Sequence, residues 1–377
     1  IFEYGKKRAG EIGADKVFDF SIGNPNVPAP AFIKDTITDL VNNEDPVKIH
    51  GYTSAQGDFG VRKALADHIN SKYGTAITAD HFYLTAGAAA SLSICCKALA
   101  LPGDEFLTFA PYFPEYKIYV ESAGAALSVI PADTANFQID LEKFAQAINE
   151  KTKAVIINSP NNPSGVVYSL ETVRKMCLIM EERSIELGRP IYLISDEPYR
   201  ELVYGDAEVP FLLNHYDNTF VCYSYSKSLS LPGERIGYVL VSNRMKDGED
   251  IYAAVCGAGR ALGYVCAPSL FQHLIARCVG RTADISIYKR NRDILYSGLK
   301  RMGYECARPD GAFYLFVRAL EPDAVAFCEK AKKHELLLVP GDGFGCPGYV
   351  RISYCVRTDQ IEASLPAFEK LAAEYKK

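Results

Sequence analysis

A chain of 377 residues exceeds the roughly 250–300 at which single hydrophobic cores stop growing, so two folding units are expected. With 41 basic and 46 acidic residues the formal charge is -5, which excludes the basic footprint of a nucleic-acid binder. No apolar run approaches the ~18 residues of a membrane span; the longest, residues 92–101, is interrupted by Lys97 and bounded by Pro102-Gly103.

In chain order, the first forty residues show no regular alternation of strand and helix patterns. From "HFYLTA" (81–86) onward, short β-rich runs alternate with helical spacing. "EFLTFAP" (105–111), "KAVIINSP" (153–160), "IYLISDEP" (191–198) and "NTFVCYSYSK" (218–227) each read as a buried strand ending in polar or turn residues. Residues 170–187 place Val173, Met176, Cys177 and Met180 at helical spacing. Near-continuous apolar strands alternating with helices predict an α/β unit, a mostly parallel sheet flanked by helices, over residues 41–285. A long helix over 285–302, strand-like "AFYLFV", "LLLVPG" and "YVRISYCV", and a final helix over 358–375 predict a smaller α+β unit from 286–377, with 1–40 assigned to it. The 11 scattered cysteines contain no CxxC and read as buried thiols in a reducing compartment, so a cytoplasmic location is expected.

Ligands of open α/β sheets bind at the carboxyl ends of the strands. Polar residues gather there: "SPNNPSG" after 153–158, Asp196 after 191–195, Lys227 after 218–224, and "GAAASLS" after 81–86. The last, Gly87-Ala88-Ala89 opening a helix, would present free N–H groups to a phosphate. Taken singly, each has a plainer reading. Asp196 suits an N-cap, "NNPSG" a turn, Lys227 a solvated loop, and Arg351 the polar face of a strand.

Ser224-Tyr225-Ser226-Lys227 also satisfies Ser-x-x-Lys, but acylating serine enzymes need Ser-Asp-Asn and Lys-Thr-Gly partners that are missing. Walker A, GxSxG and HExxH motifs are absent, and the six histidines have no metal spacing. A phosphate cup, a buried carboxylate, Asn and Tyr groups and a lysine together suit one ligand, pyridoxal 5'-phosphate. Its aldehyde joins a lysine amine, and its ring withdraws electrons while the pyridine nitrogen keeps a proton. Asp196 would hold that proton by charge pairing. Asn162 and Tyr199 would bond the phenolic oxygen, Ser224 and Arg235 would add to the phosphate cup, and Phe113 would cover the ring.

The sequence is similar to the class I/II aminotransferases of pyridoxal phosphate fold type I. The motifs run in order along nearly the whole chain: "SIGNPN", "GYTSAQGDFGVRKALADHI", "TAGAAASL", "PYFPEY", "SPNNPSG", "SDEPYREL", "SYSKSLSLPGERIGY", "PDGAFYLF", "PGDGFG" and "YVRISY". The resemblance implies transamination through a Lys227 Schiff base. It places Gly23 and Arg351 at the substrate α-carboxylate and Tyr52 at the phosphate of a partner subunit, hence a homodimer. Ala88-Ala89 departs from the Ser, Thr or Gln frequent in relatives, and Phe113 from Tyr or Trp. For the side chain, the expected donor is aspartate with 2-oxoglutarate as acceptor, and Arg260 would reach across a dimer to the distal carboxylate. A cysteine-S-conjugate β-lyase, an alanine or aromatic aminotransferase, and a non-catalytic cofactor-binding protein remain as alternatives.

Overall fold

The computed structural model describes residues 1–376. Its larger sheet has seven strands in the spatial order Phe82–Thr85, Gly237–Val241, Thr219–Ser224, Tyr192–Asp196, Thr152–Asn158, Glu105–Phe109 and Ala126–Ile130. Gly237–Val241 runs against its two neighbours, and the remaining pairs are parallel. Strands buried on both faces must be apolar throughout, and Thr219–Ser224 and Gly237–Val241 are buried at every position. The helix Leu170–Glu186 begins where the Ser169 side chain accepts from Thr172 N, and it buries Val173, Met176, Cys177 and Met180 on one face. Met180 has no exposed surface, so truncating it to alanine would cost about 2–5 kcal/mol.

Register places the reactive strand ends side by side. Asn158 pairs with Asp196, Asp196 with Cys222, and Gly237 with both Ser224 and Thr85. The chain therefore delivers Asn158, Asp196 and Ser224 to one edge of the sheet.

The second layer is an antiparallel sheet of Val339–Pro340, Tyr349–Ser353 and Tyr314–Arg318, covered by the helices Ser286–Met302 and Thr358–Ala373. The run expected as one strand, "LLLVPG", is two. Leu336–Leu337 pairs in parallel with Phe18–Asp19, and Val339–Pro340 joins the other sheet. The first forty residues serve both layers. Phe20 lies in the core of the second layer, whereas the helix Ala31–Asn43 packs its Ile33 and Leu40 with Val61 and Leu65 of the first. Two strands of the large sheet, Ala126–Ile130 and Gly237–Val241, were not evident in the sequence: the first is a partly exposed edge, and the second follows directly from the "LPGERIG" turn.

Candidate active site

A cavity of about 490 Å³ opens where the carboxyl ends of the large sheet face the smaller one. Lys227 enters it from the four-residue helix Tyr225–Ser228, which directly follows the strand Thr219–Ser224. Its Nζ donates to Gly23 O at 2.7 Å and sits 5.4 Å from the centre of the Phe313 ring. Burial pulls the amine down to about 8, with Arg235 and Arg351 acting the same way against the Cys355 thiol. The Ser224 hydroxyl, in contrast, donates to Ser226 Oγ at 2.7 Å and accepts from Ser226 N. That arrangement leaves Ser224 a capping and anion-facing group and provides no Ser–Lys dyad.

Asp196 is buried at the end of its strand. Tyr116 donates to its Oδ2 at 2.6 Å, and Asn158 Nδ2 donates to its backbone carbonyl. The other oxygen, Oδ1, is buried with no protein partner. Burial pushes this carboxyl up to about 7; the Tyr116 hydrogen bond opposes the shift and the neighbouring Glu197 adds to it. A buried carboxylate oxygen without a donor is costly, so it marks a place for one.

The turn expected to hold a phosphate lies at Gly87, whose φ of +87° lets the chain enter the helix Ala88–Leu99. No side chain caps that helix, so its first-turn N–H groups remain available beside Ala88 and Ala89. A Cβ on Gly87 would come within 2.8 Å of an Arg235 Nη, so the glycine makes room for the guanidinium at the cup. With alanines at 88 and 89, only backbone N–H groups and Arg235 would be left there to hold a phosphate. Phe113 lines the cavity and meets Tyr116 edge-on at 5.7 Å.

On the opposite wall, Arg351 projects from Tyr349–Ser353. Its Nη atoms donate to Asn162 Oδ1 at 3.0 Å and to Ser21 O at 2.7 Å, and its Nε is buried without a partner. The guanidinium lies 4.8 Å from the Tyr314 ring centre and 4.9 Å from that of Phe344, a sandwich that fixes its plane. Asn162 is oriented through its own N–H, which donates to Asn158 Oδ1 at 2.7 Å. Tyr199 and Tyr314 share a hydrogen bond of 2.9 Å. Gly23 is obligatory here, since a Cβ would fall 2.0 Å from Tyr314 Oη.

The structure thus gathers Gly23, Ala88, Ala89, Phe113, Asn162, Asp196, Tyr199, Ser224, Lys227, Arg235 and Arg351 around one cavity, with Gly87 behind Arg235. Tyr52, 98% exposed, and Arg260, exposed on the last turn of Gly248–Ala261, do not reach the cavity of their own chain. Tyr116, Glu115, Asn158 and Tyr314 were missed by the sequence reading. Asn158 ends an apolar strand as Asp196 does, and Tyr116 follows Phe113 at helical spacing, so both carried a readable signal. Among the described residues no His, Cys, Asp and Glu cluster could hold a metal ion.

The family profile "Aminotransferase class I and II" matches residues 15–368. The chain belongs to the class I and II aminotransferases. An aminotransferase from Eubacterium rectale of known structure superposes with a TM-score of 0.98 at 61% identity, covering 100% of this chain and 95% of that one. The aspartate aminotransferase of Thermotoga maritima is 31% identical over 94% of this chain and 91% of its own length. A crystal structure of an aspartate aminotransferase from the same organism gives a TM-score of 0.87 at 30% identity, covering 98% of this chain and 95% of that one. As an aminotransferase of this family the protein depends on pyridoxal 5'-phosphate and moves an amino group between an amino acid and a 2-oxo acid. The residues present fit that cofactor. The donorless Asp196 Oδ1 suits a protonated ring nitrogen, the uncapped helix with Arg235 suits a phosphate, and the depressed Lys227 amine suits an aldehyde.

Proposed function

We propose that this aminotransferase uses aspartate as amino donor, in keeping with the names of its relatives, and 2-oxoglutarate as acceptor. The observation that carries the site assignment is the convergence of Lys227, the unpartnered Asp196 Oδ1 and Arg351 on one cavity. Bound pyridoxal phosphate would act as the electron sink for a carbanion at the substrate Cα.

The protein's own groups do the rest. Asp196, ionised, would face the ring nitrogen and keep it protonated. Asn162 and Tyr199 would hold the phenolic oxygen, with Tyr199 steadied by Tyr314. Ser224, Arg235 and the backbone at Gly87, Ala88 and Ala89 would hold the phosphate, and Phe113 would cover the ring. Arg351 takes the α-carboxylate: a planar fork suits it, and the partnerless Nε is a ready donor. Gly23 leaves space beside it. With the carboxylate anchored there, the neutral amine of Lys227 in the same cavity would be the group to take the Cα proton and give it back. A lysine pulled down to about 8 is neutral in a useful fraction near neutral pH, where an ordinary one is not.

Two further parts of this reading concern the assembly. A homodimer is supported by Tyr52 at 98% exposed and by Phe59, Leu262, Tyr264 and Val265, large apolar side chains that are also exposed. The segments carrying it are tied together by Cys266 N donating to Ala55 O at 3.4 Å. In such a dimer Tyr52 would reach the partner's phosphate site, and Arg260 the distal carboxylate. We also propose the division into a unit of residues 41–285 and a second of 1–40 with 286–377, joined by the contacts of Ala31–Asn43. The cytoplasmic assignment rests on the eleven cysteines, all free; no helix among the described residues is long and apolar enough to cross a membrane.

The test is colour. The yellow purified enzyme should bleach with aspartate and recover with 2-oxoglutarate. Failure to bleach with any of a panel of amino acids would overturn the aminotransferase assignment, and bleaching by others but not by aspartate would overturn the substrate.

A further inference from the structure

The charged groups lining the cavity are Lys227, Arg235, Arg351, Asp196 and Glu115. Cofactor and α-carboxylate account for the first four, and Glu115 is left over. It stands in the first turn of the helix Glu115–Ser122, one residue from Tyr116 and two from Phe113. Its Oε2 is buried and has no hydrogen-bond partner. Its charge is felt on both sides of the cavity. Burial and then Glu115 push Tyr119 up to about 12, and Tyr314, raised to about 12 chiefly by burial, also feels it although Arg351 opposes the shift. Glu115 lines the same cavity as Arg351, into which the substrate side chain would extend once its α-carboxylate is held.

A buried carboxylate oxygen without a protein partner has room for a donor, because leaving it unpaired costs free energy. No cation lining the cavity remains to supply one. We infer that Glu115 is a specificity-determining residue that accepts a hydrogen bond from the substrate side chain, giving the enzyme a second class of amino donor: L-amino acids whose side chains end in N–H groups, amide or ammonium. The inference rests on the aminotransferase reading above and is independent of aspartate as donor. A dicarboxylic donor gains nothing from Glu115 and is repelled by it unless a cation stands between them. A small donor such as alanine does not reach it.

Half-reactions of the holoenzyme, followed by bleaching of the bound cofactor, test this with asparagine, glutamine, ornithine, aspartate and alanine. Wild type should bleach with at least one of the N–H-terminated amino acids. Glu115→Gln should lower kcat/KM for that donor about tenfold to a hundredfold, the range of a charge-assisted hydrogen bond. Alanine should stay within about twofold, which also reports correct folding, and aspartate should hold or improve. Glu115→Asp, with the charge retained but withdrawn, should fall between. Bleaching by alanine or aspartate with none of the three N–H donors active would sink the inference while leaving the aminotransferase reading intact. Equal losses on every donor, or a shift to monomer in sizing chromatography, would make Glu115 a subunit-contact residue and overturn the assignment. Absence of bleaching with any amino acid would remove both.

Discussion

Tyr116→Phe isolates the group that tunes Asp196. The phenol donates to Oδ2 at 2.6 Å, both groups are buried, and this bond holds the carboxyl at about 7 against the upward push of burial. A hydrogen bond to a charged group contributes about 1.5–3 kcal/mol. One pKa unit corresponds to about 1.4 kcal/mol, so its loss should raise the Asp196 carboxyl by about one to two further units. At pH 7.5 the ionised fraction available to pair with the ring nitrogen then drops, and the Kd for pyridoxal phosphate should rise about 3–30-fold. The sign fixes the pH dependence: as pH climbs past the new pKa, Asp196 ionises in the variant too, and the defect should shrink. The assay is titration of cofactor-free enzyme with pyridoxal phosphate from pH 6.5 to 9.5, wild type beside variant, read by the yellow colour. A ratio of Kd values that stays near one, or one that does not change with pH, would refute the account of Asp196.

Three other outcomes follow from the same geometry. Cofactor-free wild type should lose stability as pH rises from about 4 to about 7, because the unfolded carboxyl releases its proton first; the difference from 3.8 to about 7 is worth on the order of 4 kcal/mol. Asp196→Asn should abolish that slope in urea titrations while also abolishing transamination, and an unchanged slope would acquit Asp196. Capture of pyridoxal phosphate by cofactor-free enzyme should reach half its maximal rate near pH 8, where Lys227 gives up its proton, and a profile still rising toward the ordinary lysine value of 10.5 would contradict the depressed amine. Gly23→Ala should raise KM for the amino acid about tenfold or more, since the new methyl displaces Tyr314 Oη or the Ser21 carbonyl held by Arg351; Tyr314→Phe in that background should recover part of the loss, and no recovery would place the strain elsewhere.

Much of this site was written into the ends of strands. Asn162, Asp196 and Lys227 each follow an apolar run, and a parallel sheet gives such ends one common edge, so their meeting follows from pattern alone. Arg351 was harder, because alternation along "YVRISY" shows which face it takes but not what stands opposite. The antiparallel partner Phe316 and the Tyr314–Phe344 sandwich settle that, and they arise from pairings across the second sheet. Tyr116 and Glu115 escaped for another reason. Their importance comes from what they face, a buried carboxylate and an open cavity, and helical spacing puts Tyr116 on the side of Phe113 without showing that Asp196 stands opposite. Tyr52 and Arg260 stay outside their own chain's cavity, where only a second copy could bring them into use.

Two hydrogen bonds at the site have a bearing on how the protein comes into being. Lys227 leans on the carbonyl of Gly23 and Arg351 on that of Ser21, contacts spanning 204 and 330 positions of the chain. During synthesis residues 21–23 leave the ribosome early and wait for a partner made almost at the end. A chain truncated before Arg351 loses most of the central strand of the smaller sheet and the guanidinium that faces the cavity. Turnover of an amino acid then requires a chain made through its last strand, long after Lys227 has emerged.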